Sequence, residues 1–189
     1  MQTNQQSTTS PDDPLLTPLW TPKQIADRVA AVAGEIDQDY ASNPPVLVGA
    51  LKGAFIFLAD LVRQMKTPAE IEFMRLSSYD AGTESSGNVR VAWGPNLEAI
   101  QGRPVIVVED ILDTGLTTSA ALKHLRRKRP ASLRVCTLLD RPERRRVDIK
   151  ADYVGFTFSG HFVVGYGLDL DQRYRGLPGI YGLEQGRKS

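Results

Sequence analysis

Residues 105–118 read VIVVEDILDTGLTT, in which four apolar residues lead directly into two adjacent acids, Glu109 and Asp110, and then into Asp113-Thr114-Gly115. A strand meant only for burial has no use for carboxylates at its end, so these acids point to something outside the strand. In an open parallel sheet ligands bind beyond the carboxyl ends of the strands, which is where this pattern would put them. The small-residue turn that follows delivers the chain into the start of a helix. Unpaired backbone N–H groups there, with the hydroxyls of Thr114, Thr117 and Thr118, suit a phosphate. No lysine precedes the hydroxyl residues as it does in a nucleoside-triphosphate loop, and the acids would repel a triphosphate. Vicinal carboxylates accept hydrogen bonds from adjacent sugar hydroxyls and hold Mg²⁺ through waters. The chemistry asked for is that of a ribose carrying a 5-phosphate.

Elements that could position such a site are legible on both sides of it. Thr21-Pro22-Lys23-Gln24 combines a capping hydroxyl, a proline at the first helical position and a Gln three residues on. Ile25, Val29, Val32 and Ile36 follow at helical spacing. Short apolar runs at 45–50, 69–76, 105–108 and 133–139 predict strands, and helical patterns at about 54–65 and 117–128 alternate with them. Strands apolar on both faces, alternating with helices, predict an α/β fold with a mostly parallel central sheet flanked by helices. Residues 1–19, rich in Gln, Thr, Ser and Pro, read as a flexible tail, and 20–189 as a single domain. The long polar segment 77–88 (SSYDAGTESSGN) reads as an active-site lid.

Composition bounds these readings. The 189 residues are 41% hydrophobic and 24% charged with net charge +1, which excludes a disordered chain and a strongly basic nucleic-acid binder. Arg144-Arg145-Arg146 and the basic residues 123–129 read as solvated faces. Cys136, the single cysteine, lies in an apolar run and reads as a buried hydrophobe. His124 and His161 have no Cys or His partners at zinc-ligand spacing. No apolar run is long enough for a membrane span, and no lysine or arginine precedes Lys23, so a cytoplasmic protein is the expectation.

With E-D, two apolar residues and D-T-G-x-T behind an apolar run, residues 105–118 resemble the phosphoribosyl-pyrophosphate (PRPP) signature of the type I phosphoribosyltransferases. Three further segments are similar to the hypoxanthine-guanine members: Leu51-Lys52-Gly53 to their pyrophosphate loop, Ser78-Tyr79 to the start of their mobile loop, and residues 152–177 to their C-terminal hood. The resemblance runs from about residue 20 to the end and implies a hood formed mainly by 152–189 with N-terminal residues. It implies that Glu109 and Asp110 hold the ribose hydroxyls and Mg²⁺, with Asp169 a second metal-site acid. Asp113, Thr114, Gly115, Leu116 and Thr117 would wrap the 5-phosphate, Asp113 would take the proton on purine N7, the backbone of Lys52 and Gly53 with Arg175 would receive pyrophosphate, and Ser78 and Tyr79 would close over it. Phe162 would stack on the purine and the backbone of Val163 would meet its edge.

The implied reaction is purine salvage: hypoxanthine or guanine plus PRPP gives the nucleotide and pyrophosphate, with Mg²⁺ as cofactor, in a homodimer or homotetramer with no nucleic-acid or membrane partner. One departure stands out. Arg141 occupies the place where the family has a lysine reaching the purine 6-oxygen, which leaves preference among hypoxanthine, guanine and xanthine open. An RNA-binding nucleotide sensor on the same fold, or an adenine- or xanthine-preferring enzyme, would share the PRPP signature.

Overall fold

The computed structural model describes residues 10–11, 15–78, 89–160 and 162–183. Nineteen residues form the first helix, α1 (Pro22–Tyr40), and its start is built as the sequence predicts. Gln24 N donates to Thr21 Oγ1 at 3.3 Å and Thr21 N donates to Gln24 Oε1 at 2.9 Å, so each residue satisfies the other's orphan amide. Ile25, Val29, Val32 and Ile36 are buried, as their spacing requires.

The chain then alternates strand and helix: β2 (Val46–Leu51), α2 (Phe55–Gln64), β3 (Glu70–Ser78), β4 (Val89–Trp93), the short α3 (Leu97–Ile100), β5 (Pro104–Leu112), α4 (Leu116–Arg126), β6 (Ser132–Asp140) and β7 (Tyr153–Thr157). These strands make one sheet in the order β4-β3-β2-β5-β6-β7, parallel throughout except for β4, which pairs antiparallel at the edge. Strand periodicity divides its side chains between two cores. Leu47, Ile106 and Val108 pack with α1 and α2 on one face. Val46, Val48, Val105 and Val107 pack with Ala121, Leu122 and Leu125 of α4 on the other. Each fully buried aliphatic side chain contributes about 1.5–3 kcal/mol, and β2 and β5 at the centre carry such residues on both faces.

A second, antiparallel sheet of order β1-β9-β8 stands beside the first, built from β1 (Leu16–Trp20), β8 (Phe162–Val164) and β9 (Ile180–Leu183). Leu16, Val164, Tyr174, Leu177, Tyr181 and Leu183 form its own small core. Two boundaries differ from the sequence reading. Residues 16–19 are not tail: Leu16 pairs with Leu183 and is buried. Their Thr and Pro content misleads because an edge strand tolerates a proline whose missing N–H faces no partner. Residues 153–157 are not hood but the edge strand β7 of the large sheet, hydrogen-bonded to β6, with Phe156 packed on Trp20 at a ring separation of 4.9 Å.

Candidate active site

Strand β5 is longer than its apolar run, so Glu109 and Asp110 lie inside it rather than beyond it. The period-2 alternation of Val107 and Val108 therefore continues through the two acids and separates them. Glu109 faces α4, where Thr118 Oγ1 donates to its Oε1 at 3.1 Å. Asp110 stands on the opposite side, beside Gly53 of the turn that follows β2. Burial, helped by the charge of Asp110, pushes the Glu109 carboxyl up to about 8. Burial also raises Asp110, to about 6; backbone N–H groups and Arg175 oppose the rise, and Asp169 adds to it.

A cavity of about 250 Å³ opens at these strand ends. Asp110, Ile111 and Asp113 line it from β5 and its loop, Arg141 and Arg144 from the turn after β6, and Phe162, Val163, Leu168 and Asp169 from the small sheet and the loop beyond it. Phe162 keeps 38% of its surface exposed, an aromatic wall open to a planar ligand. Asp113 Oδ1 is buried without a hydrogen bond and forms an ion pair with Arg144 Nε at 3.4 Å. Arg141 is held from three sides: Nε donates to Glu143 Oε1 at 3.1 Å, Nη2 donates to Gly160 O, and the guanidinium lies 5.4 Å from the Phe158 ring centre. A wider depression of about 520 Å³ behind the same turn, lined by Arg145, Asp148 and Lys150 among others, contains none of the expected ligand-binding residues.

The loop between β5 and α4 is a tight turn that depends on glycine. Gly115 sits at φ +80 at the N-cap of α4, and a β-carbon on it would meet Ile149 Cγ2 at 2.6 Å and Val147 Cγ2 at 2.9 Å. Only glycine fits there, both for its backbone angle and for its neighbours. Beneath the loop Arg145 donates to the carbonyls of Leu112 and Asp113 and pairs with Asp140, while Arg146 N donates to Thr114 O at 2.9 Å. The first amides of α4, at Leu116 and Thr117, follow directly with the positive end of the helix dipole.

Across the cavity the Leu51–Lys52 peptide bond is cis. Lys52 Nζ donates to Gln172 Oε1 at 3.0 Å, and Arg175 pairs with Asp169 at 2.8 Å while donating to Gly167 O at 2.7 Å. Of the three acids expected to hold a metal, Asp110 and Asp169 share the cavity, whereas Glu109 is turned toward α4. Among the described residues no group of three or more metal-binding side chains forms. A hard cation that retains waters and takes one or two carboxylates plus substrate phosphates fits Asp110 and Asp169.

Sequence reasoning missed Arg144, Arg145 and Gln172. By sequence the arginine run reads as a solvated face, yet the Arg145 side chain is only 14% exposed and donates to backbone carbonyls and to Asp140. The one available signal was its distance of four residues from Arg141. Ser77 and Ser78, the first two residues of the expected lid 77–88, instead end strand β3, while Tyr79, the rest of that segment and His161 lie outside the described residues. Among the described residues no helix is long and apolar enough to cross a membrane.

Comparison with known proteins agrees with this fold. The phosphoribosyl transferase domain model matches residues 21–171. The chain is 46% identical over 163 residues to a hypoxanthine-guanine phosphoribosyltransferase of Aquifex aeolicus, covering 86% of this chain and 91% of that protein. It is 43% identical over 157 residues to a hypoxanthine phosphoribosyltransferase of Salmonella typhimurium, covering 82% and 88%. A crystal structure of a hypoxanthine-guanine phosphoribosyltransferase from Bacillus anthracis superposes with a TM-score of 0.84 at 41% identity, over 88% of this chain and 98% of that one.

Proposed function

The chain belongs to the phosphoribosyl transferase family, and on that basis we propose that it transfers the 5-phosphoribosyl group of PRPP to hypoxanthine or guanine, releasing pyrophosphate, as a cytoplasmic purine-salvage enzyme. The observation that carries the proposal is one cavity shared by a base-binding side, Asp113, Arg141, Phe162 and Val163, and a sugar-phosphate side, Asp110, Asp169 and the adjoining 113–117 loop.

In this reading the purine stacks on Phe162, Arg141 donates to its 6-oxygen, and the 5-phosphate rests on the amides that open α4. Purine N9 forms a bond to the anomeric carbon as the bond from that carbon to the pyrophosphate oxygen breaks, and Asp113 accepts the proton leaving N7. A carboxylate oxygen that accepts no hydrogen bond suits that task, with only the 3.4 Å ion pair to Arg144 to loosen. Negative charge on Asp110 and Asp113 also favours the oxocarbenium-like state at the anomeric carbon. Lys52 and Arg175 take up the departing pyrophosphate. Asp110 and Asp169 would hold Mg²⁺, which when bound neutralises the diphosphate and sharpens it as a leaving group. Family resemblance further suggests a homodimer or homotetramer, a matter for light scattering.

The test is a substrate panel with PRPP and Mg²⁺: hypoxanthine, guanine, xanthine, adenine and uracil. Formation of inosine or guanosine monophosphate with equimolar pyrophosphate is the expected result. Turnover of adenine or uracil alone, or of no base, would overturn the assignment.

A further inference from the structure

We infer that Gln172 is a positioning residue of the pyrophosphate subsite: its amide oxygen gathers Lys52 and Arg175 onto one point and is exchanged for a pyrophosphate oxygen when that anion binds. The inference deepens the functional reading above and rests on it, since that reading makes Lys52 and Arg175 the pyrophosphate cations.

The geometry is that of one neutral acceptor between two cations. Lys52 Nζ lies 3.0 Å from Gln172 Oε1, and Arg175 Nη2 lies 3.5 Å from the same atom. The two cations come from opposite parts of the fold, Lys52 from the turn after β2 and Arg175 from the loop between β8 and β9. Like charges repel, and a lysine side chain gives up rotamer freedom when held in one place, so some contact must fix them. Gln172 is itself fixed. Asp169 Oδ1 takes Arg175 at 2.8 Å, while Oδ2 accepts the backbone N–H of Gln172 at 2.8 Å and its side-chain amide at 3.5 Å. The backbone supports the arrangement at a cost: Asp171 and Gln172 have φ of 49° and 65°, two consecutive left-handed residues that are not glycine.

A neutral amide is the right chemistry for a contact that must yield. Hydrogen bonds from Lys and Arg to phosphate are roughly twice as strong as those to a neutral oxygen, so pyrophosphate displaces the amide from both cations. A carboxylate in its place would compete with pyrophosphate as a charged acceptor, and an alkyl group would leave the cations ungathered.

Two variants, Gln172→Glu and Gln172→Leu, separate this role from a passive surface contact. Binding of magnesium pyrophosphate is measured by calorimetry, and kcat, KM for PRPP and KM for hypoxanthine by steady-state kinetics. For Gln172→Glu the expected result is a loss of about tenfold or more in pyrophosphate affinity, equivalent to about 1.4 kcal/mol, with KM for PRPP raised in step. Gln172→Leu should lose a few-fold on the same two quantities. In both, KM for hypoxanthine and the melting temperature should stay near wild type, which a merely structural role would not allow. Pyrophosphate affinities within twofold of wild type in both variants would overturn the inference, as would losses spread equally over PRPP, hypoxanthine and thermal stability. Wild-type protein that binds no magnesium pyrophosphate would instead overturn the functional reading beneath it, and this inference with it.

Discussion

The carboxylate of Asp110 fills the space where a side chain on Gly53 would stand: a β-carbon there would overlap Asp110 Oδ2 and Cγ and lie 3.0 Å from Oδ1. The turn after β2 and the acid of β5 are thus packed as one unit.

Gly53→Ala should therefore push Asp110 out of its position. Displacements on the 1 Å scale cost about 10²-fold in well-oriented sites, so kcat/KM for PRPP should fall by that order while the far-ultraviolet circular dichroism is retained. A double-mutant cycle checks the cause. The stability penalty of Gly53→Ala should shrink in an Asp110→Ala background, and equal penalties in both backgrounds would separate the two residues.

Asp113→Asn keeps the size of the side chain but removes the base and, with it, the charge that pairs with Arg144 at 3.4 Å. Because Asp113 Oδ1 accepts no hydrogen bond, folding should be little affected. We expect kcat to fall by roughly 10²-fold or more with PRPP binding preserved. Near-normal turnover in single-turnover kinetics would remove Asp113 from the mechanism.

Arg141→Met tests the reading of the 6-oxygen. Adenine opposes an amino donor to the guanidinium, and an unmatched donor costs about 1–3 kcal/mol, so about tenfold to a few hundredfold of specificity should reside in this contact. Comparing kcat/KM for hypoxanthine and adenine in wild type and variant decides it. An unchanged ratio would leave Arg141 as a clamp on Glu143 and Gly160 alone. Arg141→Lys should stay active with 6-oxopurines, although lysine cannot hold Glu143 and Gly160 with a planar fork.

Glu109 makes stability depend on pH in an unusual direction. Its pKa rises from an ordinary 4.5 to about 8 in the fold, so the native state binds the extra proton. The stabilising contribution is complete below about pH 4.5 and is lost as pH climbs through about 8. Glu109→Gln keeps an acceptor for the Thr118 hydroxyl and removes the charge. Without magnesium it should melt a few degrees above wild type at pH 8, at about 2–4 °C per kcal/mol, with the gain vanishing near pH 4.5. A constant difference across that range would mean that Glu109 titrates normally.

The parts of this site that could be read from the sequence are those written in consecutive residues. Residues 105–118 carry a strand, two acids and a glycine turn into a helix in one stretch, and each of these elements forms where the pattern suggests, although strand alternation sends Glu109 and Asp110 to opposite faces. The capping box at Thr21 is equally local. What escaped depends on partners far away in sequence. β1 is a strand only because β9 offers it hydrogen bonds, and its Thr-Pro composition has no strand signal of its own. Arg145 differs from its exposed neighbours by the carbonyls it meets across the fold, and the amide of Gln172 gains meaning only beside Lys52.

The order β1-β9-β8 has a bearing on how the protein is born. β9 is the middle strand, so β1 and β8 both wait for a segment translated after them. A nascent chain can complete the large parallel sheet through β7 while β1 is still without a neighbour and Phe162 without a frame. Such pairings across long sequence separations form late. The frame around Phe162 is therefore completed only after the strand that carries Asp110 and the loop that carries Asp113 have been made.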